Sequence, residues 1–286
     1  MRFVSVEHGS TPSWGVVEQG TVRLLGELAA AQGRTLAEVL RDGDLDVVLG
    51  DQQQATTVNL SEVTLLPPTP DAQKIICVGL NYADHIAEMN RPTPEKPVIF
   101  SRFNDSFVGH DVPLEKTHLS DQFDFEGEFA VVIGRGGRHI SAAQGLDHVF
   151  GYTIMNDGSF RDYQRHTHQF TPGKNFPRSG SLGPEIVTVD EFGPVGSQRI
   201  VTRLAGEVMQ QSTLNQLVFG VADLVAYCSE WTTLAPGDII ATGTPGGVGD
   251  GQNPKRWMRP GETVEVEIDG IGVLRNRIID ESEHRQ

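Results

Sequence analysis

The run Asp124-Phe125-Glu126-Gly127-Glu128-Phe129 sets a carboxylate at every second position. Side chains alternate in direction along a strand, so Asp124, Glu126 and Glu128 would share one face and Phe125 and Phe129 the other. Neighbouring acids on such a face lie roughly 6–7 Å apart and repel by about 2–3 kcal/mol at an effective dielectric near 20. Solvation, protonation or a cation relieves that repulsion. A solvated edge strand is one reading. The run, however, leads straight into Ala130–Ile133, an apolar stretch that reads as buried. Hard oxygen donors at this spacing suit Mg²⁺, Mn²⁺ or Ca²⁺ better than zinc. Asp157 ends the apolar stretch Gly151–Met155 and could bring a third oxygen, although an Asp-Gly turn with Gly158 explains it equally.

Other residues could carry proton transfer. His85 and Glu88 are three apart in a stretch, Tyr82–Met89, that reads as a short helix capped by Asn81. They would face the same way, with Glu88 orienting His85 and His85 taking a proton from water. A solvent-exposed helical pair is the alternative. Lys174 follows a glycine in a loop rich in Gly and Pro, where a surface charge is the ordinary expectation. Arg161 and Gln164 fall four and seven residues after Asp157, so one helical turn could aim both at the same point. Gly243–Gly249 lacks the Gly-Lys-Ser/Thr ending of a phosphate loop. Its glycines instead allow backbone and the Thr244 hydroxyl to approach a ligand closely. His166 and His168 read as a surface loop, since no cysteine or third histidine lies near. Tyr82, Phe103 and Phe160 could line a pocket or pack in a core.

These residues need elements to hold them. Strands are expected at Arg2–Val6, Trp14–Val17, Thr21–Leu25 and Val63–Leu66. A Pro-rich stretch at Pro67, Pro68 and Pro70 follows and suits a linker. It divides a small N-terminal α+β domain, residues 1–70, from a catalytic domain, residues 71–286. In the second part Lys74–Leu80, Val98–Phe103, Glu126–Ile133, Val149–Met155, Asp238–Thr242, Thr263–Ile268 and Gly272–Ile279 read as strands. Leu214–Leu234 carries apolar residues at helical spacing. Strands dominate, which predicts a β-rich α+β fold with a mostly antiparallel mixed sheet. The 32 glycines, about 11% of the 286 residues, agree with many tight turns.

Composition excludes several partners. With 23 basic and 38 acidic residues the formal charge is −15, which disfavours nucleic acid and anionic membrane surfaces. No apolar stretch approaches the length of a membrane span. Residues 1–20 lack a continuous apolar segment, and two cysteines cannot form a disulfide framework. A cytoplasmic protein acting on a small molecule is the expectation.

An ordered series of segments then narrows the function. It runs Val78-Gly79-Leu80-Asn81-Tyr82-Ala83-Asp84-His85, Phe125-Glu126-Gly127-Glu128 with Val131-Val132-Ile133-Gly134, Gly151-Tyr152, and Asn156-Asp157 with Arg161-Asp162 and Gln164. It continues with Gly173-Lys174-Asn175-Phe176 and Thr242-Gly243-Thr244-Pro245-Gly246-Gly247-Val248-Gly249. From about residue 74 to 280 this set resembles the fumarylacetoacetate hydrolase family. The resemblance implies a rolled mixed β-sheet catalytic domain, usually homodimeric. It implies a divalent cation, Mg²⁺ before Mn²⁺ or Ca²⁺, held by Glu126, Glu128 and Asp157. It makes His85, Glu88 and Lys174 catalytic, and Asn81–Pro97 a lid. Arg161, Gln164, Tyr82 and Thr244 would bind a small oxo-acid. The family's reactions include cleavage, decarboxylation, isomerisation and hydration of oxo-acids, many from aromatic breakdown. Where many relatives continue Ser-Phe-Asp after the lysine, this chain has Asn175-Phe176-Pro177-Arg178, a difference that bears on the substrate. The main expectation is carbon–carbon hydrolysis of an acylpyruvate or related 1,3-dioxo acid. The alternative is decarboxylation or enol–keto isomerisation of an oxo-acid such as oxaloacetate or a hydroxymuconate.

Overall fold

A computed structural model describes residues 1–88 and 92–283, with the side chains of His85 and Ala87 outside the description. The fold is the expected β-rich α+β architecture. Its centre is the strand Gly127–Ile133, buried along its whole length. Phe129, Val131 and Ile133 face one core cluster, while Ala130 and Val132 face two others on the opposite side. A strand covered on both faces has no solvated side to encode, which is why its apolar run is continuous rather than alternating. It pairs antiparallel with Val149–Asn156 on one side and Ile239–Ala241 on the other. The register sets Gly127 opposite Asn156 and Glu128 opposite Met155, so the acidic end of one strand meets the end of the other just before Asp157.

The same sheet continues through Ile75–Gly79, parallel to Ile239–Ala241, to Val98–Arg102 at one edge. In the other direction it passes through Gly180–Thr188 to Arg2–His8, Thr11–Glu18 and Thr21–Leu24. The N-terminal 70 residues therefore share the main sheet, with Phe3 opposite Ile186, and their Trp14, Leu25, Leu36 and Val39 form one core cluster with Val132 and Ile186 of the second part. Helix Leu36–Asp42 over that core starts with a full capping box between Thr35 and Glu38 and ends on Gly43 at φ 78°. A smaller sheet of Glu207–Thr213, Arg199–Leu204, Thr263–Ile268, Gly272–Asp280 and Leu114–Lys116 packs behind the main one.

Some expectations change. The long helix over Leu214–Leu234 is shorter: Leu214–Gln216 is a single 3₁₀ turn, and the α-helix runs Val221–Trp231 after Gly220. Asn81, expected to cap a helix, lies just before the helix Ala83–Glu88, and its buried amide donates to the Phe219 and Thr242 carbonyls and accepts from the Phe219 amide, tying two loops together. Strands Gly180–Thr188, Arg199–Leu204 and Glu207–Thr213 carry no clear pattern in sequence. The first is punctuated by Gly183 and Pro184, and the last is an edge of mostly polar residues. Among the described residues no helix is long and apolar enough to cross a membrane.

Candidate active site

The acidic run is not one strand. Phe123–Asp124 pairs with Ser159–Phe160 in a separate two-stranded ladder, and the long strand begins only at Gly127. Glu126 sits in the break, its amide donating to Asn156 Oδ1 at 3.1 Å and its carbonyl accepting from the Asp157 amide at 2.8 Å. Gly127 is forced by crowding, since a Cβ there would lie 2.1 Å from Thr202 Oγ1. The break corrects the expectation that Asp124 shares a face with Glu126 and Glu128; the third acid beside these two is Asp157, the residue that the family resemblance implied. Carboxylate oxygens of Glu126, Glu128 and Asp157 all lie within 4.8 Å of one another, and all three residues are buried.

Cations press on this cluster. Lys174 Nζ donates to Glu126 Oε2 at 2.8 Å and to Asp157 Oδ2 at 2.6 Å. Arg102 Nη1 donates to Asp157 Oδ1 at 2.7 Å. Arg161 reaches Asp124 Oδ2 through Nε at 2.7 Å and Glu126 Oε1 through Nη1 at 2.5 Å. Four buried acids thus face three buried cations. Burial, then the charges of Asp157 and Glu126, push the Glu128 carboxyl well above the usual carboxylate range; Lys174 and the Gly243 amide, which donates to Glu128 Oε2 at 2.9 Å, only partly oppose them. For Lys174, burial works against the charge, but Asp157 and Glu126 outweigh it and hold the ammonium above the ordinary lysine value. Three converging hard oxygens with a surplus of negative charge fit a divalent cation such as Mg²⁺ or Mn²⁺.

Beside the cluster lies a cavity of about 370 Å³. Glu126, Glu128, Lys174, Arg161, Gln164 and Thr244 all line it. Arg161 and Gln164 occupy the short helical turn Arg161–Gln164, as their spacing predicts, with Arg161 Nη1 donating to Gln164 Oε1 at 2.9 Å. Lys174 lies in the turn Thr171–Lys174, its ammonium 4.9 Å from the Phe100 ring centre, and Phe170 meets that ring edge-on. Phe100 and Phe170 are therefore the aromatic wall. Phe103 is exposed and Phe160 stacks on Phe123 in a core, so neither lines the cavity. Tyr82 does not line it either. It is fully buried, bridged to Leu217, and burial raises its hydroxyl far above an ordinary tyrosine. His168, in the exposed loop, borders the opening.

The Gly-rich segment is tied down from several sides. Thr244 Oγ1 donates to the Gly127 carbonyl and accepts from Gln210 Nε2. Gly243, at φ +101°, has no room for a side chain against the Val78 carbonyl. Glu88 accepts from the Gly247 amide at 3.0 Å, which links the helix Ala83–Glu88 to this loop. The His85 side chain lies outside the described residues, as does part of the expected lid Asn81–Pro97. Arg102 and Gln210 were not singled out in sequence. Arg102 closes an apolar strand, and its partner Asp157 is 55 positions away, so no local spacing announces the pair.

A β-rich fold that buries three carboxylates and a lysine beside a cavity defines a class of protein. The comparisons name it. The fumarylacetoacetate (FAA) hydrolase C-terminal family matches residues 74–279, and the Rv2993c-like N-terminal family matches residues 1–68. The chain belongs to the fumarylacetoacetate hydrolase family. It is 40% identical to the mitochondrial oxaloacetate tautomerase FAHD2A of Bos taurus over 251 residues, 86% of this chain and 80% of that one. A fumarylacetoacetate hydrolase from Exiguobacterium antarcticum is 37% identical, with a TM-score of 0.84 over 98% of this chain and 100% of that one. A 5-carboxymethyl-2-hydroxymuconate delta-isomerase from Mycobacterium smegmatis is 31% identical, with a TM-score of 0.79 over 98% and 99%.

Proposed function

We propose that this enzyme is an enol–keto tautomerase of a small 2-oxo dicarboxylic acid of the oxaloacetate type. The observation that carries it is Lys174: a buried, charged acid held against Glu126 and Asp157 on the wall of the cavity. Tautomerisation moves one proton between an enol oxygen and the neighbouring carbon. It consumes no water and breaks no carbon skeleton, so one well-placed proton carrier suffices. Lys174 Nζ holds that proton, delivers it to carbon, and is recharged by the proton the enol oxygen releases. Arg161, through the Nη2 donor that its contacts with Asp124, Glu126 and Gln164 leave unspent, and Gln164 orient a substrate carboxylate. Thr244 and the aromatic pair Phe100–Phe170 close the sides and exclude water. Glu126, Glu128 and Asp157 would hold a divalent cation, which when bound polarises the oxo group and stabilises enolate charge.

The names of the relatives favour this alternative over the main expectation of carbon–carbon hydrolysis. One is an oxaloacetate tautomerase and another a hydroxymuconate isomerase. Hydrolysis stays as the second reading because of the Exiguobacterium neighbour. The two separate in parallel assays on Mg²⁺-loaded protein. The tautomerase reading expects faster loss of the oxaloacetate enol and no pyruvate from acetylpyruvate or fumarylpyruvate. Pyruvate release from either acylpyruvate, with the enol decaying at the buffer rate, would reverse the assignment.

A further inference from the structure

Asp124 belongs to the acidic run but not to the carboxylate cluster, and its surroundings give it different work. It is fully buried, and each oxygen is used twice. Oδ1 accepts from the amides of Phe125 at 2.9 Å and Gly249 at 2.8 Å. Oδ2 accepts from the Asp250 amide at 2.9 Å and from Arg161 Nε at 2.7 Å. Gly249 cannot carry a side chain here: a Cβ would lie 2.6 Å from Asp124 Oδ1 and 1.7 Å from the Arg256 carbonyl. One carboxylate therefore joins two walls of the cavity, the turn that bears Arg161 and the loop that bears Val248 and Asp250. Arg161 spends Nε on Asp124 and Nη1 on Glu126 and Gln164, which leaves Nη2 buried without a partner among the described residues. A guanidinium fixed at two corners with a third donor unspent is arranged for an anionic ligand.

We propose that Asp124 is a positioning residue for oxo-acid binding: it holds the Arg161 guanidinium and the Gly249–Asp250 backbone as one rigid unit, so that Arg161 meets a substrate carboxylate already in place. The inference rests on the proposed function for the ligand's identity and on the geometry for everything else. Preorganisation of this kind acts on ligand affinity, because a loosened arginine must be ordered again at each binding event.

The test is oxalate binding by calorimetry on Mn²⁺-loaded protein, with Mn²⁺ affinity measured separately. Asp124→Asn keeps an acceptor for Gly249 but turns an amide donor toward Arg161. It should leave Mn²⁺ affinity within about twofold and weaken oxalate about tenfold, the scale of one charge-assisted hydrogen bond. Arg161→Gln should weaken oxalate by a similar factor, and the double variant should bind no worse than the weaker single one. A merely structural acid would not give that non-additivity. Normal oxalate binding by folded Asp124→Asn, or losses that add, would overturn the proposal. A second readout needs no Asp124 variant. The Arg161 Nε–H resonance, assigned by its loss in Arg161→Gln, should exchange slowly with solvent; exchange as fast as that of an exposed arginine overturns the proposal. Wild-type protein that shows this oxalate pattern without converting oxaloacetate would support the positioning role and overturn the tautomerase reading.

Discussion

Lys174 and Glu128 carry the account at the scale of single residues. Lys174→Met keeps the stem against Phe100 but removes the proton carrier. It should slow tautomerisation by about 10²–10⁴-fold, the usual range for a general acid–base group, while the protein still binds Mn²⁺. A turnover assay paired with Mn²⁺ titration checks this, and a variant with undiminished turnover would remove Lys174 from the reaction. Glu128 gives a pH dependence. Its folded-state pKa lies above the ordinary 4.5 because burial and two neighbouring acids penalise its charge. The protonated form therefore adds stability that is complete below that ordinary value and disappears as pH rises through the raised one. Metal-free protein should melt lower as pH increases through that range. Added Mg²⁺ needs the ionised carboxylate, so the gap in melting temperature between Mg²⁺ and EDTA samples should widen with pH. A gap independent of pH would mean that Glu128 does not meet the cation. The acids at 126, 128 and 157, Lys174, Arg161 and Gln164 were legible because spacing and segment order single them out. Arg102 and Gln210 were not, because their meaning lies wholly in partners distant in sequence.

Elements explain why the run of acids misled at Asp124. Alternation along a strand is a sound rule, but it holds only while the strand continues. The chain leaves one ladder after Asp124 and enters another at Gly127. Nothing in the residue types marks that break except Gly127 itself. Central strands such as Gly127–Ile133 and Val149–Asn156 were readable from apolar content, whereas Gly180–Thr188 and Glu207–Thr213 were hidden by glycine, proline and polar edge positions. The segment Thr242–Gly249 is the element most exposed to mutation. Gly247 sits at φ +100°, and a Cβ there would lie 2.1 Å from the Met209 carbonyl. Gly247→Ala should cost about 1–3 kcal/mol from backbone strain and should also pull the Gly247 amide away from Glu88. Chemical denaturation measures the first effect. An unchanged midpoint would show that the loop relaxes freely.

For the whole molecule, the expected boundary near residue 70 describes composition better than it describes packing. Arg2–His8 hydrogen-bonds Gly180–Thr188, and Val132 and Ile186 belong to the same cluster as Trp14 and Leu36. Removing residues 1–70 would expose that strand edge and the apolar face beneath it. The truncated chain should aggregate on expression, and a soluble, cooperatively melting fragment would show that the catalytic part folds unaided. The central claim is that this buried cluster performs a proton shift and leaves the carbon skeleton intact. Proton NMR of oxaloacetate in D₂O tests it most directly, comparing Mg²⁺-loaded enzyme, an EDTA control and buffer. The account predicts enzyme-accelerated deuterium exchange at the carbon beside the oxo group, abolished by EDTA, with the four-carbon skeleton preserved. Exchange at the buffer rate, or accumulation of pyruvate in step with enzyme, would contradict it.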